Sequence, residues 1–241
     1  MSIKVVRALS DNYIYLIEAK RGSICIDPGD AKPVIEALEG DLIAILNTHH
    51  HADHIGGNLE LKAKYHCPLI APNDERIEGV DLIASENTPV IIDEYRFDVL
   101  FVPGLTRTHV AYYCRQLKAV FTGDSLFTCG CGRIFEGTPA EMLHSLKKIA
   151  ELPDETLVYS GHDYTQQNIA FALSLEPNNE ELKKRIYAAA PWTVGEEKKF
   201  NPFLRTADPN ICKAVDMEGS SAARFSEEAV FSTLRLRKNA C

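Results

Sequence analysis

No stretch of this sequence approaches the roughly 18 consecutive apolar residues that a membrane-spanning helix requires. The opening "MSIKVVRALSDNYIYLIEAK" has no apolar segment of signal-peptide length before Asp11, so the expectation is a chain that stays in the cytoplasm. Positive charge is also in short supply: 26 Lys and Arg face 34 Asp and Glu, a formal net charge of -8. That balance gives no footprint for nucleic acid or an anionic membrane surface, and any anionic ligand has to be met by a local basic cluster. No repeat of fixed period is present, which excludes solenoids. The seven cysteines are odd in number and irregularly spaced, with only Cys129 and Cys131 close together, so packed thiols are expected rather than a disulfide framework.

What is there is the composition of a globular enzyme, 45% hydrophobic and 25% charged over 241 residues, enough to bury a substantial core. In the first half, "IKVVRAL", "YIYLIEA" and "SICID" read as strands, and "DPGD" as a turn. A short helix in "AKPVIEALEG" then feeds the buried strand "LIAIL". A helix is expected over Asn58–Tyr65, followed by strands at "PLIA", "VII", "FDVLFVP", "AYYCRQ" and "AVFTGD". Strands interleaved with helices predict an α/β layered fold. After Gly137 the apolar spacing turns helical in "PAEMLHSLKKIAEL", "TQQNIAFALSLE", "NEELKKRIYAAA" and "FSEEAVFSTLRLRKN", with one strand at "TLVYS". No Pro/Gly-rich linker marks the change near residue 170, so direct packing of the two parts is expected.

The densest chemistry lies in "NTHHHADHIGG" at the end of "LIAIL", where four histidines and an aspartate fall between His49 and His54. Alternate side chains of an extended segment share a face, so His49 and His51 can point together while His50 points away. Asp53 and His54 follow where the chain turns, and can supply a second cluster. Imidazole and carboxylate donors in two adjacent groups suit a pair of zinc, iron or manganese ions, a recurrent hydrolytic device. Two more strand ends offer donors: Asp124 in "AVFTGDSLF" and His162 in "TLVYSGHDYT". A strand-end aspartate alone is more often a turn or cap residue; the convergence of three such motifs is what points to a metal centre.

Together with "LSDNYIYLI", "GCGRIFEGTPAEM", "NPFLR" and "LRLRKN", these motifs resemble the metallo-β-lactamase fold superfamily, and within it the glyoxalase II (hydroxyacylglutathione hydrolase) family, over essentially the whole chain. The resemblance implies an αββα sandwich over residues 1–170 and a mainly helical, glutathione-binding domain over residues 171–241. It implies that His49, His51 and Asp124 hold one divalent ion, zinc above iron or manganese. Asp53, His54, His162 and the bridging Asp124 hold the other. Asp53 and Asp124 are then the catalytic carboxylates. Substrate contacts would come from Arg133, Phe135, Tyr164, Arg235 and Lys238, with Phe135 standing where the family commonly has Tyr. The implied reaction is hydrolysis of a glutathione thioester by a monomer, with no general acid needed for the weakly basic thiolate.

One position departs from the family pattern. A Pro-Gly-His-Thr-x-x-His stretch is usual after the "FDVLFVP" strand, and its first His is a ligand; this chain reads "PGLTRTH", with Leu105 at that position. His109, four residues on, reaches the centre only if the loop turns back. This leaves an activity-impaired, glutathione-conjugate-binding homologue as an alternative, beside a sulfur dioxygenase or another hydrolase of the superfamily.

Overall fold

A computed structural model describes residues 2–187, 190–215 and 226–240. Strands β1 (Ile3–Ala8), β2 (Asn12–Ala19), β3 (Gly22–Ile26), β4 (Leu42–Leu46), β5 (Leu69–Ala71) and β6 (Leu82–Ile83) form one sheet in that order. The first three pair antiparallel and the rest parallel. Parallel neighbours need a crossover. Helix α1 (Ala31–Ala37) supplies it before β4, and α2 (Ala52–Ile55) with α3 (Asn58–Tyr65) before β5. The second sheet runs β13 (Leu157–Ser160), β10 (Ala119–Gly123), β9 (Val110–Cys114), β8 (Tyr95–Phe101), β7 (Val90–Ile92). Between β10 and β13 lie the short pair β11 (Leu126–Phe127) and β12 (Gly130–Cys131), and helix α4 (Pro139–Ala150).

The period of two along β2 explains the layering. Ile14 and Leu16 pack with Ala31 and Val34 of α1 and Leu61 of α3. Tyr15 and Ile17 turn the other way, onto Phe97, Val99, Tyr112 and Phe121 of the second sheet. Each such side chain contributes about 1.5–3 kcal/mol when fully buried. One helical layer and two facing sheets result.

Packing divides the chain into two compact units. The first is Met1–Phe101, Thr108–Asp124 and Tyr159–Asp163; the second is Val102–Arg107, Ser125–Val158 and Tyr164–Cys241. The chain leaves the first unit after Asp124 and returns to it at Tyr159, within β13. In the second unit, α5 (Thr165–Leu175), α6 (Glu180–Lys183), α7 (Val194–Phe200), α8 (Pro209–Val215) and α9 (Glu227–Asn239) join α4. Phe203 stacks on Phe171 of α5 and meets Phe231 of α9 edge-on.

The long helix expected in "NEELKKRIYAAA" is replaced by the single turn α6 and further turns, while Ala188 and Ala189 lie outside the described residues. Arg185 is instead drawn over the Trp192 and Phe200 rings and onto Glu196 at 2.6 Å, which favours a compact turn over a continuing helix. The last helix begins at Glu227 behind a Ser226 cap; Phe225 lies outside the described residues. No helix among the described residues is long and apolar enough to cross a membrane. Six cysteines are buried free thiols, and Cys241 lies outside the described residues. Burial pushes the Cys129 thiol well above its ordinary value and Cys131 up to about 11, so "CGC" is packing material rather than a redox pair.

Candidate metal centre

The donors gather at the carboxyl ends of three strands. His49 follows β4, Asp124 follows β10 and His162 follows β13, while Asp53 and His54 sit on the short helix α2. All belong to the first unit. His54 Nε2 lies 3.4 Å from Asp124 Oδ1 and 3.6 Å from Asp53 Oδ2, and His162 Nε2 lies 3.3 Å from Asp124 Oδ2 and 3.3 Å from Asp53 Oδ2. The two Nε2 atoms are 3.3 Å apart. Ligands about 2.0–2.2 Å from a tetrahedral ion stand about 3.3–3.6 Å from one another, so these edges match a coordination shell. A second group, His49, His51 and Asp124, brings its donor atoms within 4.8 Å of one another.

Polar satisfaction tells the same story. His49 Nε2 and Asp124 Oδ1 are buried with no hydrogen-bond partner among the described residues. Leaving such atoms unmatched costs about 1–3 kcal/mol each, and a cation between the two groups satisfies both. Burial and the His54 and His109 rings hold the His49 imidazole well below its ordinary value, in the neutral form that binds metal. The Asp53 carboxyl is held below the usual carboxylate range, chiefly by its hydrogen bond with His162. Burial lowers His162, but hydrogen bonds with Asp124 and Asp53 outweigh it and raise the ring to about 10. The cluster therefore takes up positive charge, and the donor set fits a divalent pair.

Glycine is required beside these ligands. A Cβ on Gly161 would stand 2.5 Å from Asp124 Oδ1 and 2.6 Å from His54 Cε1. Gly123 adopts φ +48°, and a side chain there would meet Thr48 Oγ1 at 2.3 Å.

Residues 9–162 match the family model described as the metallo-beta-lactamase superfamily, and residues 163–241 match that of the hydroxyacylglutathione hydrolase C-terminus. A protein named hydroxyacylglutathione hydrolase from Rhodospirillum rubrum is 41% identical over 256 residues, covering 99% of this chain and 98% of the relative. The chain belongs to the hydroxyacylglutathione hydrolase family. Among solved structures, the BLEG-1 B3 metallo-beta-lactamase is similar at 25% identity and TM-score 0.68, covering 84% of this chain and 99% of that one. The protein TTHA1623, solved in a di-iron-bound form, is similar at 27% identity and TM-score 0.60, covering 83% and 98%. The αββα fold with a helical C-terminal region follows from this membership.

This hydroxyacylglutathione hydrolase homologue builds its centre with help that the sequence did not announce. Asp27, read above only as part of a turn, accepts from the Thr48 amide at 2.7 Å, the Thr48 hydroxyl at 2.6 Å and His54 Nδ1 at 3.1 Å. It does so from a left-handed backbone conformation, φ +51°, uncommon for a non-glycine residue. Asp11 accepts from His162 Nδ1 at 2.8 Å. Asn12 Nδ2 donates to Asp53 Oδ2 at 2.9 Å and to its carbonyl at 3.1 Å. A carboxylate that only accepts fixes the proton on Nδ1 and leaves Nε2 as the donor atom toward a metal.

Leu105 is buried in the second unit, where its carbonyl accepts from the Phe135 and Glu136 amides. His109 Nε2 accepts from the Asp124 amide at 3.2 Å while its ring stacks on His49. The residues expected at the glutathione pocket all fall in the second unit. Arg133 and Phe135 are exposed, and Tyr164 packs edge-on against Phe127. Lys238 Nζ donates to the Gln167 carbonyl at 3.1 Å, tying α9 to α5. Arg235 is buried: Nη1 donates to the Cys131 carbonyl at 2.6 Å and the Gly132 carbonyl at 3.3 Å, and Nε to Asn239. Its guanidinium is thus in large part a structural clasp on the loop that carries Arg133, a use the charge pattern alone did not show.

Proposed function

We propose that the chain hydrolyses S-(2-hydroxyacyl)glutathione thioesters, S-D-lactoylglutathione foremost, to glutathione and a 2-hydroxy acid such as D-lactate, and so clears methylglyoxal adducts. The observation that carries this reading is the convergence of Asp53, His54, His162 and Asp124 at coordination spacing, in a chain related to hydroxyacylglutathione hydrolases along its whole length. A bound divalent pair, for which we propose zinc, supplies Lewis-acid polarisation of the thioester carbonyl and water acidified to a pKa of about 7. The protein's part is to hold the donors still. Asp27 and Asp11 orient His54 and His162, and Asn12 orients Asp53. In the second unit, Arg133, Tyr164 and Lys238, with Arg235 behind them, are assigned to the glutathionyl carboxylates and backbone, where cationic donors are needed in an otherwise acidic chain. The departing thiolate is a weak base and requires no general acid. We place this activity in a cytoplasmic monomer.

The test joins two measurements on one sample: metal per chain by elemental analysis, and loss of the thioester of S-D-lactoylglutathione. Two ions per chain with no turnover would sink the proposal. Leu105 favours a second reading, a weakly active binder of glutathione conjugates. That reading predicts tight binding of S-alkylglutathiones with a hydrolysis rate that Leu105→His leaves unmoved.

A further inference from the structure

We propose that the two metal positions of this chain are unequal and fill in order, the Asp53–His54–His162 position first and the His49–His51 position second. The inference rests on the reading of both groups as metal sites and goes beyond it by ranking them. The first argument is donor number. The Asp53–His54–His162 group brings three ligands of its own plus the shared Asp124, which completes four; among the described residues, the other group is His49 and His51 plus the same Asp124. The second argument is where the shared carboxylate stands: Asp124 Oδ1 lies 3.4 Å from His54 Nε2 and Oδ2 lies 3.3 Å from His162 Nε2, so both of its oxygens face the four-donor position.

The third argument is how the imidazoles are backed. His54 and His162 each direct Nδ1 at a carboxylate, Asp27 at 3.1 Å and Asp11 at 2.8 Å. An anionic partner behind the ring strengthens the opposite nitrogen as a donor, and such partners are worth about 10 to 100-fold in metal affinity. His49 directs Nδ1 at Thr48 Oγ1 at 3.0 Å, and that hydroxyl in turn donates to Asp27 Oδ2 at 2.6 Å. The hydrogen-bonded path from the Asp27 carboxylate to His49 runs through a neutral hydroxyl. His109 Nε2 accepts from the Asp124 amide while its ring stacks on His49. Asp11 thus acts as a positioning residue for one metal position and not for the other.

The holoenzyme held against graded concentrations of a divalent-metal chelator, with ions counted in the retained protein, tests the ranking. One ion should leave at a chelator strength at least about tenfold below that needed for the other. His51→Ala should abolish the easily lost ion and leave the retained one at the parent's strength. Asp11→Asn, a conservative change at a partly exposed side chain, should loosen only the retained ion, by about tenfold. Loss of both ions in one step overturns the ranking. So does an Asp11→Asn protein in which the easily lost ion is the one that moves. A parent that holds no ion under any condition sinks the metal reading itself, and is distinguishable from either result.

Discussion

At the scale of single residues, position 105 carries the sharpest expectation. The family pattern has a ligand His there and this chain has a buried Leu. Leu105→His should therefore raise occupancy of the weaker metal position and increase thioester hydrolysis by about tenfold or more, read as ions per chain and kcat/KM on one preparation. An unchanged metal count would show that position 105 does not serve this centre. A second residue-scale test lies in the second unit. Glu197 is fully buried, and burial pushes its carboxyl up to about 8 against the hydrogen bonds from Asn201 and the Cys129 amide. Between its ordinary value of 4.5 and about 8 the folded chain keeps a proton that the unfolded chain releases. The unfolding free energy must then fall as pH rises through that window. Glu197→Gln removes the ionisation, so its melting temperature relative to the parent should climb from pH 5 to pH 8. A constant difference across that range would contradict the assignment. Asp27 and Asp11 were not legible as supporting residues because their partners lie 27 and 151 positions away. The sequence displays ligands as a motif and displays what orients them only as ordinary turn residues.

At the scale of elements, α9 divides its basic residues between two tasks. Arg235 clasps the carbonyls of Cys131 and Gly132, while Lys238 caps the Gln167 carbonyl beside the Phe171 ring. Arg235→Ala leaves buried carbonyls without donors and should cost about 1–3 kcal/mol of stability while also raising KM. Lys238→Ala should raise KM for the thioester with little change in kcat or melting temperature. Equal thermal losses in the two variants would refute the division. Element by element, apolar periodicity read the long strands and helices well: α3 spans Asn58–Tyr65 as expected, and "LIAIL" is β4. Periodicity failed where tertiary contacts decide. The pattern after Asn179 promised a helix, yet Arg185 is captured by two aromatic rings and Glu196. The missed helix α7 had a readable signal, the Thr193–Glu196 capping box. The two-residue strands β6, β11 and β12 are below any periodic signal.

At the scale of the whole molecule, the metal pair is a source of stability as well as of chemistry. Ions that bind only the folded centre add RT ln(1 + [M]/Kd), about 4 kcal/mol per ion when free metal exceeds Kd a thousandfold. Stripping both ions from the holoenzyme with a chelator should lower its melting temperature by roughly 15–30 °C for a chain of this length, and readdition of zinc should restore it. A melting curve indifferent to chelation would argue that the donor cluster is empty in the working protein. The interleaving of the two units has a further consequence during synthesis. A ribosome releases His49, His51 and Asp53 early and Asp124 much later, but His162 emerges only with β13, the strand that completes the first unit. A nascent chain halted short of that strand lacks a donor of its better-equipped position and the imidazole that Asp11 orients. On the metal reading, a chain therefore offers all four donors of this position only once residue 162 has emerged.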